Sequence, residues 1–386
     1  MGEPAAEEAD GTHIWFTVEK RDVSTPAAAR RIAKALGRRG GDVSFAGRKD
    51  AVAMTRQRMS VEHVDVEQLM ALEVEGLSLS APRRHRRKLR TGELLGNRFE
   101  LVLRGVSPAH VARLEACLAR LGVDGLPNLY GEQRFGPNLE GLEAARRLVF
   151  GPPAAYLEAL ARAGRPDQVE PGLELVRRAA SGTSGERRRA DELCADLPLD
   201  LVPVAKQLAR RRTEEVSELL AAVPKSSRAF HLAILQAWVF NDVLHRRLRE
   251  GTSGVVQAGD LVLREDGRHG YTSPERPAPD GAVPSGPMWA PGLRLAEGAP
   301  GEVERAALRA EGLTPEGPEQ PGGLSPRGSR RDLRVAVSSP SLEEGAAPEG
   351  AAVGGARTLR VGFSLPSGTY ATVVLDQLRA ACLDPG

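Results

Sequence analysis

The sequence predicts an α+β fold, and three observations carry that prediction. His13 to Lys20 alternates apolar and polar residues, the signature of a strand with one buried face. Arg98 to Val106 alternates in the same way. Between and after them lie helical stretches with recognisable start signals rather than a regular strand-helix repeat, which favours segregated strands and helices over a parallel βαβ array. In chain order, Thr25-Pro26 reads as an N-cap with proline at the first helical position, followed by an apolar face of Ala29, Ile32, Ala33 and Leu36 and a stop at Gly37. Val43 to Ala46 is the next strand. Ser107-Pro108 opens a helix carrying Val111, Leu114, Leu118 and Leu121, and a further helix is expected over Asn138 to Phe150.

From about Gly151 the texture changes. Helices are expected at 154–163, 203–222 and His231 to Arg249, around an Arg-rich polar patch from Glu186 to Asp191. Short strands among Gly and Pro fill 252–335. The stretch SSPSLEEGAAPEGAAVGGAR, 338–357, is low in complexity and reads as a flexible loop. Leu359 to Leu365 returns to strand character, and Thr369 to Ala381 closes the chain as a helix. A final strand and helix behind a differently textured middle imply a discontinuous first domain, 1–151 with 336–386, and an inserted domain over 152–335.

Composition narrows the class. The 386 residues carry a net charge of only +2, so no polyanionic partner follows from charge alone. Six lysines stand against 47 arginines; a GC-rich genome explains most of that bias, and phosphate recognition by arginine is the other reading. Three scattered cysteines argue against a disulfide framework or a thiolate metal site. The acidic opening MGEPAAEEADG has no apolar core of a signal peptide, and no apolar run is long enough to span a bilayer, so the expectation is a cytoplasmic protein. No H-x3-H or H-E-x-x-H spacing, Walker loop or G-x-S-x-G is present.

The chemistry-bearing residues fall in four clusters. Gly47-Arg-Lys49-Asp50 places one carboxylate just after a short strand with a lysine beside it, a setting that suits a nucleophile or a base. Arg83 to Arg90, RRHRRKLR, packs six cations into eight residues and reads either as a solvated run or as a phosphate-binding patch, with Arg86 and Lys88 as candidates. Gly125 to Gly136 frames Asn128, Tyr130, Gln133, Arg134 and Phe135 with glycines, as a tight turn or as a loop that stacks on a base and reads its edge. Phe363 to Thr372 is a strand-to-helix junction.

Taken together these residues resemble the TruD-type pseudouridine synthases. The matches are Ala46-Gly-x-Lys-Asp50-x-x-Ala-x-Thr-x-Gln57; His85-x-x-Lys-Leu-x-x-Gly92-x-Leu-x-Gly-Asn97-x-Phe99; Pro127-Asn128-x-x-Gly131-x-Gln133-Arg-Phe-Gly136; and Phe363-x-Leu-Pro366-x-Gly368-x-Tyr-Ala-Thr372. They occur in order over roughly residues 11 to 378. Gln236-Ala-Trp-x-Phe-Asn241, Arg246-Arg-Leu and Ser285-Gly-Pro287 with Glu304 also look like the family's.

The resemblance implies a pseudouridine synthase fold, a mixed and mainly antiparallel sheet with helices, carrying an inserted α/β family-specific domain, with RNA between the two. It implies isomerisation of a uridine in tRNA (position 13 in bacterial members) without a metal or organic cofactor, and no obligatory protein partner. It makes Asp50 the essential carboxylate, as nucleophile or as base. Lys49 becomes structural or RNA-facing, Asn128 an amide that orients the base, Tyr130 a stacking ring where bacterial members commonly carry phenylalanine, and Phe363 a second aromatic near the flipped base. Arginines 187–189, 210–212, 330 and 331 become candidates for RNA contact or for solvated surface. The family also carries, ahead of the strand at His13–Lys20, an extended Phe-x-Val-x-Glu strand and an active-site lysine. MGEPAAEEADG matches the linker that follows them. The expectation is therefore a sheet with an unpaired edge and an Asp50 short of its usual cation, with Arg48 or Lys49 partly replacing it. A second reading follows from that expectation: an RNA-binding relative without catalysis. A carboxylate-based nucleoside hydrolase is a third.

Overall fold

A computed structural model describes residues 10–180, 182–210, 216–345 and 357–383. The chain divides into two compact units with discontinuous boundaries: residues 1–100 with 362–368, and 101–361 with 369–386.

The first unit is a four-stranded antiparallel sheet backed by a helix. Its elements are β1 (His13–Arg21), α1 (Thr25–Ala35), β2 (Ser44–Phe45), β3 (Met54–Glu62), α2 (Val66–Met70) and β4 (Leu77–His85), with strand order β2-β3-β1-β4. β1 is central, paired from His13↔Glu62 to Arg21↔Met54 on one side and from His13↔His85 to Lys20↔Leu77 on the other. The expected open edge therefore does not fall on β1; among the described residues the edges are β2 and β4. Alternation along β1 points Ile14, Phe16 and Val18 at the face of α1 built from Ala28, Ala29, Ile32 and Ala33, with Met59 and Val61 of β3 completing the core. β3 and β4 were not legible as strands. Arg56 and Arg58 dilute the alternation of one, and a bulge with Ala81 at φ 48° interrupts the other.

α1 begins one residue earlier than its sequence signal suggests. Ser24 is the N-cap and accepts from the Ala27 amide at 3.3 Å. Thr25 is thereby released from capping, and its buried hydroxyl goes elsewhere.

The chain leaves the first unit within β5 (Gly96–Val106) and runs on through α3 (Pro108–Asp124), β6 (Leu126–Pro127), α4 (Glu140–Phe150), α5 (Pro153–Arg162), α6 (Pro166–Ala180), α7 (Ser184–Arg188), α8 (Val202–Arg210), α9 (Val216–Leu220) and α10 (Lys225–Arg249). Then come β7 (Leu261–Leu263), β8 (His269–Tyr271), β9 (Ser285–Met288), α11 (Gly298–Ala310), β10 (Ser329–Asp332), β11 (Arg334–Val335), β12 (Ser338–Glu344), β13 (Arg357–Pro366) and α12 (Ala371–Leu383). The helix expected from Asn138 starts at Glu140, because Asn138 and Leu139 take positive φ. The single helix expected over 203–222 is recorded as α8 and α9. The expected loop at 338–357 is corrected over its first part, where β12 joins a sheet of order β12-β13-β5 and the Gly345 amide donates to the Thr358 carbonyl at 2.9 Å. Residues 346–356 of that expectation lie outside the described residues.

The core of the second unit is organised by α10, whose Ile234, Leu235, Phe240 and Leu244 pack with Leu142 of α4 and with Trp289, Ala307 and Leu308. A second apolar cluster joins α4, α5, α6 and α8 through Leu148, Tyr156, Leu175 and Val204. β9 and β10 pair beside α10, and Gly286 sits where a Cβ would meet the Phe240 ring and Leu333 at 3.0 Å, which explains a glycine between Ser285 and Pro287. No helix among the described residues is long and apolar enough to cross a membrane.

Candidate active site

The loop that follows β2 carries Asp50, and its backbone is pinned residue by residue. The Gly92 amide donates to the Ala46 carbonyl at 2.7 Å. Gln57 on β3 donates to the Gly47 carbonyl at 3.4 Å. The Thr25 hydroxyl accepts from the Lys49 amide and donates to Gln57 Oε1, both at 2.9 Å. Lys20 Nζ donates to the Asp50 carbonyl at 2.7 Å. The residues flanking the acid in the first motif are thus mostly devices for holding one turn. Asp50 itself is exposed, and its carboxylate forms no ion pair or hydrogen bond among the described residues.

Two lysines stand around that acid. Lys20 is 1% exposed, on the core-facing side of β1. Lys49 is half-buried and donates through Nζ to Asn97 Oδ1 at the start of β5. Burial pushes both ammonium groups below the usual lysine range, while the nearby Asp50 charge pulls them back up. Lys20 is thus a buried cation at the Asp50 peptide beyond those singled out from the sequence, and Arg48 is exposed. Lys20 was invisible in the sequence because it falls at a core-facing position of an alternating strand, where an apolar residue is the ordinary occupant.

The remaining motifs of the first unit close on the same loop. Gly96 has no room for a side chain, since a Cβ would lie 2.4 Å from the Leu365 carbonyl oxygen, and this close approach joins the second motif to the fourth. Phe363 is fully buried on β13 and stacks on Phe99 at 5.4 Å between centroids. Its own face is covered, and Phe99 is the more exposed ring of the pair. In the basic run, Arg86 makes a bidentate pair with Asp10 at 3.1 and 2.9 Å, Arg87 pairs with Glu93, and Lys88 is exposed. His85 stacks on Trp15 at 4.2 Å, and Trp15 Nε1 donates to the Arg87 carbonyl at 2.7 Å, so the run is laid across the start of β1 rather than left loose.

The second unit holds a separate cluster. Asn128 is 4% exposed; its Nδ2 donates to the Asp332 carbonyl at 2.8 Å and its Oδ1 accepts from Arg331. The Arg331 guanidinium lies over the Tyr130 ring at 4.4 Å and near Phe240 at 5.6 Å, a cation–π arrangement. Tyr130 is clamped through its backbone by Asn241, which accepts from its amide and donates to its carbonyl, each at 2.9 Å. Its ring meets Tyr370 edge-on at 5.6 Å, and its hydroxyl reaches Met288 Sδ at 3.5 Å. Gly131 is required by proximity: a Cβ there would stand 2.6 Å from Thr372 Oγ1 and 3.1 Å from Tyr370. Burial raises the Tyr370 phenol above its usual range and lowers the Arg331 guanidinium. Sequence reasoning did not single out Tyr370 as a site residue and left Arg331 among candidates for RNA contact or solvated surface; the signal for Tyr370 was membership of the fourth motif.

Of the arginines proposed for RNA contact or solvated surface, Arg330 is a buried tie and others make local surface contacts. Arg330 is buried with Glu304, donating also to the Ser285 carbonyl at 2.5 Å. Arg189 pairs with Glu192, and Arg187 donates to the Arg178 carbonyl at 3.4 Å. Arg211 and Arg212 lie outside the described residues.

The sequence model of the family described as tRNA pseudouridine synthase D (TruD) matches residues 1–378. A protein named tRNA pseudouridine synthase D from Geobacter metallireducens is 34% identical over 377 residues, 96% of this chain and 89% of the relative. Its counterpart from Geobacter sulfurreducens is 33% identical over 385 residues, 96% and 88%. A crystal structure described as a putative TruD from Methanosarcina mazei superposes with a TM-score of 0.73 at 24% identity, over 97% of this chain and 89% of that one, a likeness of fold. An exposed carboxylate on a pinned loop and four ordered motifs agree with these matches: the chain belongs to the TruD family of tRNA pseudouridine synthases.

Proposed function

We propose that this protein converts a uridine of tRNA, at position 13, to pseudouridine, with Asp50 as the essential carboxylate. The observation that carries the reading is the division of labour at Asp50: the peptide is held by Lys20 and its neighbours by Thr25 and Gln57, while the carboxylate stays unengaged. That is pre-organisation of a group that has to meet substrate. In the reaction the N1–C1′ bond breaks, the uracil turns, C5 bonds to C1′, and the proton lost from C5 is balanced by one gained at N1. Asp50 takes part by attacking C1′ or by removing a sugar proton.

Tyr130 supplies a ring for the extruded base. Asn128 acts through Arg331, since both ends of its amide are engaged with protein. Phe363 supports Phe99 from behind, Lys49 is held at Asn97, and Arg86 and Lys88 meet phosphates. Residues 152–335 form the family-specific insertion into a catalytic domain of 1–151 and 336–386, and a tRNA substrate puts the enzyme in the cytoplasm.

The test is incubation with unmodified tRNA followed by carbodiimide-dependent primer extension. Product from the wild type and none from Asp50→Ala is expected. Equal product from both removes Asp50 from the mechanism, and free uracil in place of product turns the reading into hydrolysis.

A further inference from the structure

We propose that Lys20 is a positioning residue for this reaction, fixing the Asp50 peptide from beneath and leaving the carboxylate free for the sugar. The inference rests on Asp50 being the essential carboxylate.

The argument starts from cost. Lys20 continues the series Ile14, Phe16, Val18 on the buried face of β1, where the residue is 1% exposed. A charge taken out of water is expensive unless paired and hydrogen-bonded. The partner recorded for Nζ is a neutral one, the Asp50 carbonyl at 2.7 Å. Directly across the ladder stands Thr55, whose Oγ1 is buried and makes no hydrogen bond among the described residues. The charges that reach Lys20 are the attractive one of Asp50 and, through its effect on Lys49, a repulsive cationic neighbour. The hydrogen bond to the Asp50 peptide and the Asp50 charge are what favour an ammonium here, since a methionine would fill the same space without the desolvation penalty.

What a lysine does there is mechanical and electrostatic together. It holds the one Asp50 backbone acceptor that sets where the carboxylate hangs, and it places a fixed cation nearby without occupying the carboxylate oxygens. Lys49, by contrast, is anchored away at Asn97.

The experiment compares wild type, Asp50→Ala, Lys20→Met and Lys20→Arg for rate at saturating tRNA, for KM and for Tm. A misplacement of about 1 Å in a reacting group costs about 10²-fold, so Lys20→Met is expected to lose about 100-fold in rate with KM within about threefold. Its Tm is expected to equal or exceed that of the wild type, because replacing a buried ion by an apolar chain is neutral or stabilising. Lys20→Arg is expected to recover part of the rate. A Lys20→Met rate within about threefold of wild type, a rate loss matched by a lower Tm, or failure of that variant to fold overturns the proposal. If the wild type makes no pseudouridine the reading of Asp50 falls and takes this inference with it. If wild type is active and Asp50→Ala is not, the outcome bears on Lys20 alone.

Discussion

Around Asp50 the protein ties down the backbone and leaves the acid's side chain unengaged, whereas around Tyr130 it ties down the backbone and also packs the side chains on one another. In the first unit Thr25, Gln57 and Lys20 reach the amide of Lys49 and the carbonyls of Gly47 and Asp50, and the acid is left unengaged. In the second unit Asn128, Arg331, Tyr130 and Tyr370 are engaged with one another through amide, guanidinium and ring. A reacting group must keep its lone pairs for the substrate while its position is set by its frame. A recognition surface works as interlocked planes, because stacking requires a rigid face more than a free atom. Under the proposed function, the first cluster carries the chemistry and the second the base recognition.

The largest expected effect comes from Asp50→Ala, which should reduce pseudouridine formation by at least about 10³-fold, the scale of removing a covalent or acid–base group. Because Asp50 is exposed, Tm should move little. An unfolded Asp50→Ala protein would mean that the acid is part of the frame, and the contrast would collapse.

Thr25→Val tests the frame itself. It removes the acceptor of the Lys49 amide and the donor to Gln57 from a completely buried site. Stability should fall by about 1–3 kcal/mol for the groups left unpaired, and the rate should fall by about tenfold or more as the loop loosens. Denaturant unfolding and single-turnover kinetics on the same preparation separate the two. A stability loss with an unchanged rate would show that the loop does not need pinning.

Tyr130 probes the other side of the comparison. Tyr130→Ala should weaken tRNA binding or raise KM by about tenfold or more, from about 1–3 kcal/mol per stacked base. Tyr130→Phe keeps the ring but loses the hydroxyl that reaches Met288 Sδ at 3.5 Å and accepts from Arg331, so its binding should lie much nearer wild type than that of Tyr130→Ala. A Tyr130→Phe enzyme that binds normally but reacts slowly would move the phenol into the chemistry and blur the division.

The two clusters were unequally legible. The Asp50 turn and its glycines were readable because each residue type has a steric or electrostatic reason visible in one dimension. α1, β5, α3, α10 and β13 were readable from periodicity. Lys20, Thr25 and Arg331 were not, because their importance lies in what they reach across 20 to 200 residues of chain: Lys20 to Asp50, Thr25 to Lys49, Arg331 to Asn128. Thr25 was also disguised as a helix cap, a role that the structure gives to Ser24. Conversely Arg330 looked like surface charge and is a buried tie to Glu304, because a sequence shows that a cation is present but not whether an acid folds onto it.

The smallest expected effect separates both clusters from simple attraction to RNA. Lys88 is exposed, whereas Arg86 already holds Asp10 through both carboxylate oxygens. A phosphate contact by Lys88 releases a counterion, so Lys88→Gln should lower the slope of log affinity against log salt by about 0.7–0.9. Arg86 must surrender an exposed, weak ion pair to make the same contact, so Arg86→Gln should change the slope less. Neither substitution should alter the rate at saturating tRNA, since a phosphate contact contributes to binding rather than to the chemical step. Filter binding over a salt series and single-turnover rates check this. A rate effect from Lys88→Gln would extend the frame of Asp50 into the basic run, and an Arg86→Gln slope change equal to that of Lys88→Gln would show that the Asp10 pair opens without resistance when RNA arrives.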